Sequence, residues 1–345
     1  MLGICAPYKQ AEPTYVACRL AEWAARKCIP FTYFTSPPPR PSVDSRLDKY
    51  LLDASKDNFG AWLEKCTALV WSGFPPYAQL EYVTRHVGKR TFLFIDPHTI
   101  EEEDHATISL VEKALVPTRR LYRLLEKRWK LTNAVWCPYD PVIIPQSRVG
   151  LRSKLVRLAL PLIDEFAEYS ELSFIYQING LLKQCSNLCI RILISPTKIS
   201  SYAKRRMRAL QRMSGDRLEI CKVAPYDKRV KQLLDVDLVV WPALQGGVGC
   251  YLTLCASLGI PTICFNIPPH DEIIGETGGY LINVPYNSDD KLRWTAQSDY
   301  TEMLNRIVEL VKNPKELRLR SKIIQQSVTH RPVKFDTVMD SIFEF

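Results

Sequence analysis

The chain has 345 residues, 46% of them hydrophobic, with 46 Lys plus Arg against 37 Asp plus Glu and a formal net charge of +9. That length supports two domains of ordinary size, and that apolar fraction excludes a disordered chain. No apolar run reaches the roughly 20 residues that span a bilayer, and the 11 cysteines are scattered without a C-x-x-C pair, which argues against a disulfide framework. Several cysteines sit in apolar runs (Cys5, Cys189, Cys255, Cys264) and no signal peptide precedes them, so reduced thiols in a cytoplasmic protein are expected. The basic excess favours an anionic partner, whether nucleotide, nucleic acid or acidic membrane surface.

In chain order, Leu2 to Ala6 predicts a first strand. Pro13 to Lys27 predicts a helix with Val16, Leu20, Trp23 and Ala24 on one face, and Phe31 to Phe34 the next strand. This unit lacks G-x-G-x-x-G, so nothing marks a dinucleotide site. Ser36 to Pro41 is a stiff proline-rich connector. Helices are expected over Asp44 to Asp53 and Asn58 to Cys66. Strands over Ala68 to Trp71 and Thr91 to Ile95 end in Ser72-Gly73-Phe74-Pro75 and Asp96-Pro97-His98-Thr99. Open α/β sheets keep their sites in such turns. After the apolar Leu115 to Pro117, Thr118 is the expected N-cap of a basic helix, Arg119 to Lys130, whose cations are opposed by Glu126 alone. Asn133 to Cys137 is a strand, and Pro138 to Pro145 is the proline-rich exit into a candidate linker.

The second half opens with a strand, Leu155 to Leu160, and a helical region, Tyr169 to Gln184. The strand Leu188 to Ile194 ends at Ser195-Pro196-Thr197-Lys198. A second basic helix follows, Tyr202 to Met213, with Lys204, Arg205, Arg206, Arg208 and Arg212. Leu218 to Val223 reads as a strand and Lys228 to Leu234 as a short helix. Then come the strand Asp237 to Leu244, the turn Gly246-Gly247-Val248-Gly249, the helix Tyr251 to Leu258 and the strand Pro261 to Phe265. Glycines in such a βαβ unit let a backbone approach a phosphate, and the free N–H groups of the helix start attract it. A tight turn without ligand is the competing reading. Thr301 to Lys312 and Pro314 to Val328 are amphipathic helices, and Val333 to Phe345 a last helix. Alternating strands and helices in both halves imply two α/β domains facing each other across a cleft.

Three stretches resemble retaining GT-B glycosyltransferases of the group that includes glycogen and sucrose synthases. In the first, Asp237, Pro242, Gly247, Gly249, Gly259 and Pro261 fall where the family has its strand, glycine turn, helix and Gly-x-Pro. In the second, His270 to Val284, Glu272, Ile273 and Gly279 match a proline-glutamate-isoleucine turn and the glycine before the next strand. The third, Leu115 to Pro145, is similar to the family's strand, basic helix, short strand and linker. The resemblance implies an α/β fold of GT-B type, two facing Rossmann-like domains with an interdomain cleft. The expected domains are residues 1–145 on the acceptor side and 146–328 for the nucleotide sugar. Residues 329–345 are expected to form a helix that packs back on the first. The resemblance also implies a glycosyltransferase whose co-substrate is a nucleotide sugar, with UDP as the expected nucleotide, and no tightly bound cofactor or metal.

The departures are specific. The family's two glutamates fall at Gly246 and Leu254, so ribose binding needs another group, and adjacent Thr253 is the candidate. The family's early glycine pair falls near Ala11 and Glu12. Its arginine and lysine have no clear counterpart around Leu160 to Phe166, and Lys198 or Arg205 could substitute. A degenerate, non-catalytic member therefore remains an alternative. The donor-binding candidates are Gly246, Gly247, Val248, Gly249, Thr253, Asp271, Ile273 and Lys198. The catalytic candidates are His98 against the donor sugar, Asp96 as base if the reaction inverts, and Glu272, whose competing role is to cap the turn at Ile273. Glu101 to Asp104 reads as a solvated helix start rather than a metal site. Tyr8, Lys9, Phe74, Arg119 and Arg123 are the acceptor-side candidates. Some bacteriophages glycosylate hydroxymethylated bases in their DNA with GT-B enzymes, and the basic helices suit a double-stranded DNA acceptor. A lipid or polysaccharide acceptor is the alternative.

Overall fold

The computed structural model describes residues 1–6, 12–35, 50–53, 58–97, 99–140, 155–162, 167–194, 201–223, 226–244, 249–268, 270–275, 277–288, 294–296, 300–330 and 334–343. The first lobe is built on a seven-stranded parallel sheet: β1 (Leu2–Cys5), β2 (Phe31–Thr35), β3 (Leu51–Asp53), β4 (Ala68–Ser72), β5 (Arg90–Phe94), β6 (Lys113–Val116) and β7 (Ala134–Trp136). Its spatial order is β3-β2-β1-β4-β5-β6-β7. Helices cover both faces, which is why the strands read as unbroken apolar runs rather than alternating ones. They are α1 (Glu12–Arg26), α2 (Phe59–Lys65), α3 (Tyr77–Glu81), α4 (Asp104–Leu110) and α5 (Arg119–Trp129). Packing at the sheet centre is tight at Gly3, where a Cβ would meet Leu69, Cys66 and Trp62 side chains at 2.5–2.9 Å. Larger residues at that position would overpack the core.

The second lobe repeats the order. Its six parallel strands are β8 (Val156–Leu162), β9 (Leu188–Ile194), β10 (Leu218–Lys222), β11 (Leu238–Trp241), β12 (Thr262–Phe265) and β13 (Tyr280–Ile282). They lie as β10-β9-β8-β11-β12-β13, the doubly wound arrangement of the first six strands of the other lobe. The helices are α6 (Ala167–Gln184), α7 (Ser201–Ser214), α8 (Tyr226–Leu233), α9 (Cys250–Ser257), α10 (Thr301–Lys312) and α11 (Pro314–His330).

A last helix, α12 (Lys334–Ile342), packs on the first lobe. Phe335, Met339 and Phe343 join the buried cluster around α1, β1 and β5. Asp336 pairs with Arg19 at 3.1 Å and Arg26 at 2.7 Å, and Asp340 accepts from Trp23 at 3.0 Å and Lys27 at 2.7 Å. The Asp140 carboxylate accepts from the backbone N–H groups of Lys334 and Phe335, capping the helix start.

One element departs from expectation. Leu51–Asp53 is an edge strand, in register with Tyr33, Phe34 and Thr35, where a helix over Asp44 to Asp53 was predicted. Pairing with β2 outweighs the local helical pattern, as sheet context routinely does. No described helix is long and apolar enough to cross a membrane.

Candidate active site at the lobe seam

The carboxyl end of β11 leads to α9, whose N-cap is Gly249. Gly249 has φ +76°, a left-handed conformation that costs a residue with a side chain about 1–2 kcal/mol. Gly249, having no side chain, offers this helix start no side-chain cap of its own. The Gly249 carbonyl already accepts the first helical bond, from Thr253 N–H at 2.9 Å. The first turn of α9 carries the positive end of the helix dipole.

α9 is buried from Cys250 through Ala256 and packs between the lobes. Cys250 belongs to the buried cluster of the first lobe, beside Tyr15 and Val16 of α1. Next to it lies a buried cation. Arg229 of α8 is 1% exposed. Its Nη2 donates to the Tyr15 hydroxyl at 2.6 Å, and its guanidinium lies 4.6 Å from the Tyr15 ring centroid and 5.6 Å from that of Tyr251. Burial pushes the Tyr15 hydroxyl pKa up, and Arg229 works against that rise. Tyr251 in turn stacks on Trp241 at 5.6 Å. A charge so far from water persists only where neighbours compensate for lost hydration, and here two ring faces and a hydroxyl contribute.

A second contact closes the seam from the other side. The π-helical turn Asp271–Gly275 packs against α9. Glu272 reaches across to α5, where its two carboxylate oxygens accept from Arg119 N–H at 2.7 Å and Arg120 N–H at 3.0 Å. Thr118 caps the same helix from within the lobe, accepting from Leu121 N–H at 3.1 Å. A carboxylate at a helix N-terminus meets both unsatisfied donors and a favourable dipole. Arg120 also pairs with Asp271 at 3.6 Å. Burial raises the Asp271 pKa, and the Arg120 charge opposes the rise.

Of the expected site residues, the structure brings Gly249, Thr253, Asp271, Glu272, Ile273 and Arg119 to this seam. Thr253 is buried, and its hydroxyl donates to the Cys250 carbonyl at 2.9 Å. Ile273 packs against the core under α9. Glu272 caps α5 rather than its own turn. Arg119 lies 4.4 Å from the Trp136 ring centroid. Asp96, 5% exposed, lies two residues beyond β5, and its carbonyl accepts from the Thr99 N–H and hydroxyl. Phe74 packs against the first-lobe core, and Arg123 is exposed on α5. His98, Lys198, Tyr8, Lys9, Gly246, Gly247 and Val248 lie outside the described residues. Arg229, Tyr15 and Tyr251 were not anticipated: Arg229 sits in a helix with other cations, and nothing local separates it from them. Among the described residues, no three His, Cys, Asp or Glu side chains are placed to hold a metal ion.

No protein-family model and no curated protein sequence matches the chain. Solved structures do match its fold. A glycosyltransferase from Rickettsia africae ESF-5 superposes with a TM-score of 0.68 at 9% identity, over 99% of this chain and 96% of that one. The lipopolysaccharide outer core galactosyltransferase WaaB, in its apo form, gives 0.63 at 14% identity over 99% of each. A Listeria monocytogenes chain described as a UDP-N-acetylglucosamine 2-epimerase gives 0.64 at 11% identity, over 100% of this chain and 96% of that one. With both sheets, their strand order and the seam in place, the chain has the GT-B fold of these glycosyltransferases.

Proposed function

We propose that this protein is a glycosyltransferase that moves a sugar from a nucleotide-sugar donor, with UDP as the nucleotide, to an acceptor hydroxyl. The observation that carries the reading is the start of α9. It is a glycine-initiated helix at the carboxyl edge of the second sheet, buried against the other lobe. A donor diphosphate placed there would meet the positive end of the helix dipole as charge builds on it during departure of the sugar. Gly246, Gly247 and Val248, which precede Gly249 in the sequence, are proposed as further donor-binding residues, and Lys198 as a further cation. Protein groups alone meet the diphosphate charge in this reading.

The other lobe supplies the remaining roles. His98 is the residue proposed to contact the donor sugar, and Asp96, two residues beyond β5, is the proposed base for the acceptor proton if the reaction inverts. Glu272 has a different role from the one its resemblance implies. With its carboxylate on α5, it holds the acceptor lobe against the donor turn. The acceptor we favour is a lipid or polysaccharide, as the name of WaaB suggests for that enzyme, in a cytoplasmic setting. A DNA acceptor has only the basic charge in its favour.

The test is a panel of UDP-, GDP-, ADP- and CMP-sugars, followed by calorimetry and by mass spectrometry of released nucleotide and sugar. Saturable binding with sugar release, both lost in Gly247→Glu while the circular dichroism is unchanged, supports the reading. Binding without turnover identifies a non-catalytic member, and isomerised sugar on an intact nucleotide identifies an epimerase. Absence of binding across the panel refutes the donor site.

A further inference from the structure

α7 carries Lys204, Arg205, Arg206, Arg208 and Arg212 and no acidic residue. Its inner face is anchored by buried Met207, with Leu210 packed on the second-lobe core. On the outer face, Arg205, Arg208 and Arg212 follow at spacings of three and four residues, which aligns them in an exposed row about 10 Å long. Arg206, on the flank, lies 5.1 Å from the ring centroid of Tyr176. Tyr176 is 44% exposed and Met213, at the end of the row, 69%.

Several arginines elsewhere on the described surface are paired. Arg85, Arg90, Arg128, Arg191 and Arg306 each meet a carboxylate at 2.8 Å or less. Among the described residues, no ion pair involves any of the five cations of α7. Neighbouring like charges on one helix repel each other, so such a row is unfavourable until an anion meets it.

We propose that α7 docks the protein onto an anionic membrane, with the arginine row against lipid phosphates and Met213 and Tyr176 entering the headgroup layer. Two observations favour a membrane over nucleic acid. A thioether as exposed as that of Met213 gains from an acyl boundary and nothing from a phosphate backbone. One face of the Tyr176 ring is taken by Arg206, which limits base stacking. The row is straight and carried on a rigid helix, which suits a flat charged surface. This inference stands on charge and exposure and is independent of the donor reading.

The test is co-sedimentation of the full chain with phosphatidylglycerol–phosphatidylcholine vesicles, with pure phosphatidylcholine vesicles as the neutral control. Binding to the anionic vesicles alone is expected, weakening as salt rises. Each cation near such a surface contributes about fivefold, so R205A/R208A/R212A is expected to weaken binding about 100-fold. Circular dichroism of that variant should be unchanged, because the three side chains are exposed. Met213→Ser should weaken binding by less than the triple variant. Equal binding to neutral vesicles, undiminished binding by the triple variant, or tighter binding to duplex DNA than to the anionic vesicles would each overturn the proposal.

Discussion

α5 and α7 are both arginine-rich and both seated by an apolar inner face, yet their surroundings are opposite. The first turn of α5 is engaged from three sides: Thr118 and Glu272 hold its N–H groups, and Asp271 pairs with Arg120. Farther along, Glu102 pairs with Arg128 at 2.8 Å. The cations of α7 meet no described carboxylate. Charge count makes the two helices look alike, and only the location of the carboxylates separates them. One belongs to the seam between lobes; the other is left facing outward. The start of α9 sharpens the contrast, since its N-cap is a glycine where α5 has Thr118.

The largest expected effect tests what the two helices share. Leu121→Ala on α5 and Met207→Ala on α7 remove fully buried side chains, so each should cost about 2–5 kcal/mol in denaturant unfolding. A near-neutral Met207→Ala would show that α7 is not seated as described. Next comes the seam. Thr118→Ala and Glu272→Ala each remove a cap from α5 and should each cost about 1 kcal/mol. Only Glu272→Ala should also open the lobes, read as a larger radius of gyration in solution scattering. Equal radii for both variants would place the Glu272 contact outside the seam.

A pH test separates the carboxylates by sign. The Asp271 pKa is raised by burial, so the fold holds its proton more tightly than the unfolded chain does. That contribution favours folding below the ordinary carboxylate range and is lost as pH rises through the raised value. Asp340 behaves oppositely. Hydrogen bonds from Lys27 and Trp23 lower its pKa, so its contribution is present above the ordinary range and lost as pH falls. Arg120→Ala should therefore move the Asp271 titration further up in carboxyl-carbon NMR and leave Asp340 in place. An unmoved Asp271 would deny the Arg120 pairing. The smallest stability effect belongs to α7: R205A/R208A/R212A should change unfolding free energy by no more than about 0.5 kcal/mol. A larger loss would mean that the row is tied into the fold.

Most elements were legible because each parallel strand is a short apolar run and each helix shows an apolar face at helical spacing. Thr118 as a cap was legible for the same reason: its partner, Leu121, is three residues away. The strand Leu51–Asp53 was not, because what makes it a strand is β2 alongside. The seam was least legible. Glu272 bonds to a helix 153 residues earlier and Arg229 to a tyrosine 214 residues earlier. The sequence therefore offered Glu272 as a catalytic candidate or a cap of its own turn, not as a cap of α5, and did not single out Arg229. Gly249 was found because a left-handed helix start restricts the residue type, which leaves a mark in the sequence itself.

The central claim is that the glycine-initiated start of α9 receives a nucleotide diphosphate between the lobes. A crystal structure of the full chain with UDP tests it most directly. The account predicts the β-phosphate within hydrogen-bonding distance of the backbone N–H groups at Gly249 to Tyr251, with Glu272 still on α5. UDP bound elsewhere, or those amides already bonded to the protein in its presence, would contradict it.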